Sequence, residues 1–143
     1  MSEREEIEEI EELLGGYRAA VRAKDVDAFV AIYDENVRIF DTWRWTYADV
    51  EAWRAMATEW FGSVGDDQIV VEHADVEIVV EGAIAVVSAY TRFSGLSATG
   101  EELRAMENRL TWALRRTDAG WKVFHEHTSA PGSFETGKLV LSR

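Results

Sequence analysis

Two residues at a fixed separation, Tyr17 and Asp41, hold the chemistry that the chain is equipped to do. Tyr17 lies on a stripe with Ile7, Ile10, Leu14 and Val21, at steps of three and four residues, which is the spacing of one helix face. Its ring therefore points inward, and its hydroxyl needs a partner there. Asp41 follows the alternating run Val37, Arg38, Ile39, Phe40 and so shares a strand face with Val37 and Ile39. With that face turned inward, the carboxyl group stands among apolar side chains. Such surroundings disfavour the charged form of a carboxyl group, which suits a general base working near neutrality. The plainer reading of the same pair is an aspartate that caps a turn or pairs with Arg44, beside a tyrosine of the core.

Further candidates lie toward the C-terminus. His125 and His127 stand two apart on a strand-like run and, by strict alternation, share a face with Trp121 and Val123. His127 is the candidate proton carrier, and His125 is either a ligand anchor or a structural histidine at an interface. With Asp41 they have the donor types of a two-histidine, one-carboxylate metal site, but H-x-H alone does not specify that geometry and no metal is expected. Arg109 alternates with Thr111 and Ala113, and from a pocket face it would orient a carboxylate or enolate oxygen. Its plainer role is a surface salt bridge. Trp43, Trp45, Tyr33, Trp60, Phe61, Tyr90 and Trp112 are candidates for an aromatic cavity wall, with Trp45, Trp60, Trp112 and Tyr33 taken as substrate-binding, although aromatic side chains dominate cores generally. His73, between Glu72 and Ala74, reads as surface. A nucleophile elbow, a phosphate loop and a dinucleotide fingerprint are absent, and no cofactor is expected.

The elements that must position these groups follow from the changes of period. Glutamates crowd the start of a first helix, where they suit its dipole. Gly15-Gly16 in its middle implies either a pause or a close packing partner. Asp25 is a plausible N-cap for a second helix whose apolar side is Val26, Phe29, Val30, Ile32 and Tyr33. The strand to Asp41 comes next, and Thr46 with Asp49 resembles a capping box for a third helix over about Tyr47 to Phe61. From Gln68 the period becomes two, giving strands over 68–80, 83–93, 103–116 and 121–130, with turns at Glu81-Gly82 and Thr117–Gly120. The tail, 133–143, either adds an edge strand over Lys138–Leu141 or stays loose. Helices followed by long antiparallel strands make an α+β domain, read as one domain over residues 1–143. Strands of such length must bend. Three helices packed on the concave face of a strongly curved antiparallel sheet give a cone-shaped roll with a hollow inside.

Composition narrows the partners. The 143 residues are 47% apolar and 29% charged, as in an ordinary globular protein. A net charge of -12 argues against nucleic acid or an anionic membrane, since phosphate binding needs a basic patch. There is no cysteine, and hence neither disulfide nor thiol chemistry. The acidic N-terminus lacks a signal core and no apolar run would span a bilayer, so the expected location is the cytoplasm.

Helix, helix, strand, helix and a curved four-strand meander resemble the nuclear transport factor 2-like superfamily. The string Y-x-A-A-x-x-A-x-D-x-D-x-x-V-A from Tyr17 to Ala31, continuing without gaps to Asp41, is similar to ketosteroid isomerase. In that enzyme the matching tyrosine donates to the developing oxyanion and the matching aspartate shuttles a proton between carbons. The resemblance therefore implies those roles for Tyr17 and Asp41. The enzyme's second oxyanion donor is a protonated aspartate, and here Trp112 falls near its place, so steroid isomerisation is not expected. Gly120-Trp121-Lys122-Val123-Phe124-His125-Glu126-His127-Thr128-Ser129-Ala130-Pro131 is similar to the G-W-x-x-x-H-x-H-x-S-x-P string of SnoaL-like proteins. The association domain of calcium/calmodulin-dependent protein kinase II carries a related one. The expected function is a pocket for a small hydrophobic molecule, and the enzyme type is a cofactor-independent isomerase, cyclase or dehydratase. The alternative is a non-catalytic binding or association module. By resemblance the chain is expected to form a homodimer through the outer face of its sheet.

Overall fold

The structure, a computed structural model, describes residues 2–43 and 45–143. The suggested pairing of Asp41 with Arg44 falls outside them. Ser2 caps the first helix, α1 (Glu3–Ala23), by accepting from the Glu5 amide, and Glu3, Glu5 and Glu6 fill its first turn. The helix runs through Gly15-Gly16 unbroken, and a methyl group on Gly16 would meet nothing within 4 Å. Neither a pause nor a packing partner accounts for the pair. Lys24 ends α1 in the left-handed conformation, with φ 55°.

Asp25 caps a short α2 (Val26–Val30), and the chain is already extended from Tyr33 in β1 (Tyr33–Phe40). Ile32 and Tyr33 therefore belong to the entry of the strand rather than to a helix face. Thr46 and Tyr47 form β2 (Thr46–Tyr47) against Phe40 and Ile39. The third helix, α3 (Val50–Val64), consequently starts later than the capping-box pattern implies. Asp49 is its N-cap, accepting from the Ala52 amide.

The four long strands follow: β3 (Gln68–Glu81), β4 (Ile84–Leu96), β5 (Glu102–Thr117) and β6 (Gly120–Ser129). The sheet order is β2-β1-β6-β5-β4-β3, antiparallel throughout except where β1 lies parallel to β6. Three helices on this six-stranded mixed sheet are the α+β cone that the sequence implies. Two bulges bend it. In β3 the register slips between Ala74 and Glu77, with Asp75 at φ 51°. In β6 it slips between Val123 and His125, leaving Phe124 as the extra residue. The core lies between helices and concave face, with Ile10, Phe29, Ile39, Trp112 and Val123 fully buried.

At the closed end, buried Glu6 receives the Arg116 guanidinium, which also donates to the Gly82 carbonyl at 3.2 Å. That contact ties the start of α1 to the β3–β4 turn. The tail makes one bridge, Gly132 to Leu139, and Leu141 accepts from the Glu107 amide at 2.8 Å, so it lies along the edge of β5 beyond the end of β6.

Candidate functional site

Inside the cone is a cavity of about 420 Å³ whose lining includes Tyr17, Asp41, Trp43, Trp60, Asn108 and Glu126. Each reaches it for a local reason. Tyr17 is on the inward stripe of α1 and is 8% exposed. Asp41 continues the inward alternation of Val37 and Ile39 past the end of β1 and is half-buried. Trp53, Met56 and Trp60 project from α3, and Phe93, Met106 and Asn108 come from the inner faces of β4 and β5.

Glu126 is the group that changes the picture. It is 3% exposed, and the Tyr33 hydroxyl and the Trp112 indole donate to the same oxygen, Oε1, at 2.6 and 2.7 Å. No described residue donates to Oε2. Burial lifts this carboxyl from 4.5 to about 7, with the charge of Asp41 adding to the rise and the two donors opposing it. Burial first, and then the charges of Glu126 and Asp41, raise the Tyr17 hydroxyl well above its usual value. Tyr17 is therefore a neutral donor at any physiological pH, beside a carboxyl group that exchanges its proton near neutrality.

Asp41 belongs to a polar chain. Asn108 Nδ2 donates to Thr42 Oγ1 at 3.5 Å, Thr42 Oγ1 to Thr128 Oγ1 at 2.8 Å, and Thr128 Oγ1 to Asp41 Oδ1 at 3.4 Å. The Thr42 amide also donates to Thr128 Oγ1, at 2.9 Å.

The other sequence candidates divide. Trp60 lines the cavity, while Tyr33 and Trp112 stand behind it as the donors to Glu126. Trp45 does not line it. The residue is 82% exposed, and Trp43, itself 43% exposed, lines the cavity instead. His125 and His127 are on the outer face. The Phe124 bulge breaks the alternation counted from Trp121 and Val123, so the inward residue after it is Glu126. His125 Nδ1 donates to the Arg38 carbonyl at 2.7 Å, and both imidazoles pack edge-on against Phe40. With Asp41 on the inner face, the three do not come together as a ligand set.

Arg109 is also outside, donating to Ser129 Oγ at 3.1 Å. The large side chains Leu110, Trp112 and Leu114 take the inner face of β5, and Arg109 has the opposite parity. His73 is not a surface residue. It faces inward beside Tyr17, accepts from Arg18 at 2.8 Å, and is lowered to about 4 by burial and by the Arg18 charge.

Sequence reasoning missed Glu126, Asn108 and Thr128, whereas Trp43 was among its aromatic candidates and lines the cavity. Only Glu126 left a signal: Tyr33 and Trp112, both expected inside, need a buried acceptor, and it is an acid on the strand beside them.

A sequence profile of the SnoaL-like domain matches residues 10–133. The chain belongs to the SnoaL-like family. No curated protein matches it. Among solved structures, an NTF2-like protein of unknown function from Pseudomonas putida KT2440 is 27% identical, with a TM-score of 0.86 over 100% of this chain and 98% of that one. A Streptomyces avermitilis protein of the NTF2-like family, provisionally named a dehydratase, is 17% identical, with a TM-score of 0.76 over 92% and 100%. A Xanthomonas campestris protein provisionally named a calcium/calmodulin-dependent protein kinase II association domain is 17% identical, with a TM-score of 0.68 over 86% of each chain. With the family match, these place the chain in the NTF2-like superfamily. Among the described residues no helix is long and apolar enough to cross a membrane.

Proposed function

We propose that this SnoaL-like protein binds a small apolar carbonyl compound in the cone and moves a proton on it, as an isomerase, cyclase or dehydratase without a cofactor. One observation carries the reading: the buried Glu126 carboxyl borders the same aromatic-walled cavity as Tyr17 and Asp41. Asp41 is the base that takes a proton from the carbon next to the carbonyl. The Tyr17 hydroxyl and protonated Glu126 are the two donors to the oxygen on which charge develops. Glu126 thereby takes the place of the second oxyanion donor that the alignment with ketosteroid isomerase leaves empty at Trp112. The dehydratase name of the Streptomyces relative is consistent with the same proton chemistry.

The test is exchange of the α-protons of 2-tetralone in D₂O, followed by NMR. The wild type accelerates exchange, and Asp41→Asn, which removes the base, and Tyr17→Phe, which removes an oxyanion donor, each lose about 100-fold or more. Variants as fast as the wild type would end this mechanism.

Assembly is a second part of the reading. Val79, Ile84 and Val86 are exposed on the outer sheet face, with Glu77 and Glu81 on one side and Arg115 and Lys122 on the other. Such a face is self-complementary about a two-fold axis, so the partner proposed for it is a second copy of this chain. Val86→Asp should convert a dimer to a monomer in sedimentation velocity. A wild type that sediments as a monomer would remove this part.

A further inference from the structure

The polar chain that ends on Asp41 has a direction, and that direction reaches the other end. A carboxylate donates nothing, so Thr128 must donate to Asp41 Oδ1 and therefore accepts from Thr42. Thr42, having spent its proton on Thr128, must accept from the side-chain amide of Asn108. The NH₂ group of Asn108 thus faces Thr42, and Oδ1 faces away from it. That oxygen is buried without a partner, on a residue that is 4% exposed and borders the cavity. An orphaned buried acceptor keeps its desolvation penalty until a donor arrives. We propose that Asn108 is a specificity-determining residue that selects ligands carrying a hydroxyl or N–H donor, its polarity being set by Asp41 through Thr42 and Thr128.

This deepens the proton-transfer reading by naming the substrate class: a hydroxylated or amino-bearing carbonyl compound in preference to a purely apolar one. It also gives Thr42 and Thr128 a role at a distance from the ligand. They are positioning residues that keep the amide from turning over. With Thr42 replaced by valine, nothing would hold the NH₂ group away from the ligand, and the preference for a donor should weaken.

The experiment compares two probes of the same aromatic frame, 2-naphthol and 2-methoxynaphthalene, by isothermal titration calorimetry. The wild type should bind the naphthol about tenfold or more tightly, the scale of one satisfied buried hydrogen bond. Asn108→Leu and Thr42→Val should each bring the two probes to within about twofold while still binding the methyl ether, a loss of discrimination rather than of affinity. Equal binding of both probes by the wild type overturns the proposal. So does full discrimination retained by Asn108→Leu, because the hydroxyl would then be read elsewhere in the cavity. Thr42→Val separates the relay from the bulk change at residue 108, and its retaining full discrimination overturns the relay. These failures, with 2-tetralone exchange intact, leave the proton-transfer reading standing. Binding of neither probe removes the ligand pocket, and both readings with it.

Discussion

Glu126→Leu should lower stability by about 2–6 kcal/mol, because it strands two donors at once, at about 1–3 kcal/mol each. Tyr33 is 4% exposed and Trp112 is fully buried, so neither the hydroxyl nor the indole N–H has water to turn to. Glu126→Gln should be far milder, since its amide oxygen can accept both bonds. What glutamine removes is the titration. The folded-state pKa of about 7 lies above the ordinary 4.5, so between those values the folded chain holds a proton that the unfolded chain has lost. The stability contributed by this group is therefore complete below the lower value and is lost as the pH rises toward the upper one. The slope is at most about 1.4 kcal/mol per pH unit. Urea unfolding across that window should show a profile that falls more steeply for the wild type than for Glu126→Gln. Parallel profiles would mean that the carboxyl is not held as described.

The second large effect is expected at Phe29, which is fully buried and whose ring meets those of Tyr17 at 5.3 Å, Tyr33 at 5.7 Å, Phe61 at 5.7 Å, Trp53 at 5.9 Å and Trp60 at 6.4 Å. Phe29→Ala should cost about 3–5 kcal/mol, from lost apolar burial plus the cavity left behind. Three of those five rings, Tyr17, Trp53 and Trp60, also line the ligand cavity, so the change should weaken 2-naphthol binding as well as stability. Denaturant midpoints measure the first part and calorimetry the second. A stability loss below about 1 kcal/mol would show that the rings close up without it.

Helical spacing was enough to place Tyr17, and strand alternation was enough to place Asp41, because both periods run unbroken up to those residues. The cone was legible for the same reason, since helices precede long strands. The histidines were not, because alternation holds only while the register does. One extra residue at Phe124 turns His125 and His127 outward and brings Glu126 in. Nothing in Trp121-Lys122-Val123-Phe124 marks a bulge. Arg109 fails differently. It and Trp112 are three positions apart on one strand, and without a bulge between them they cannot both face inward. The larger ring takes the interior. The fate of Trp45 depends on a short loop whose path no period specifies, and Asn108 carries no pattern at all until Thr42 and Thr128 are brought beside it.

Everything assigned to the site rests on a glutamate that is sealed from bulk water and keeps its proton up to neutral pH. Carbon-13 NMR of the glutamate side-chain carboxyl signals, with the Glu126 resonance identified by its disappearance in Glu126→Gln, follows that proton directly. The account predicts one glutamate that titrates near pH 7, well above the others. A Glu126 resonance that titrates with the surface glutamates, near 4.5, would contradict it.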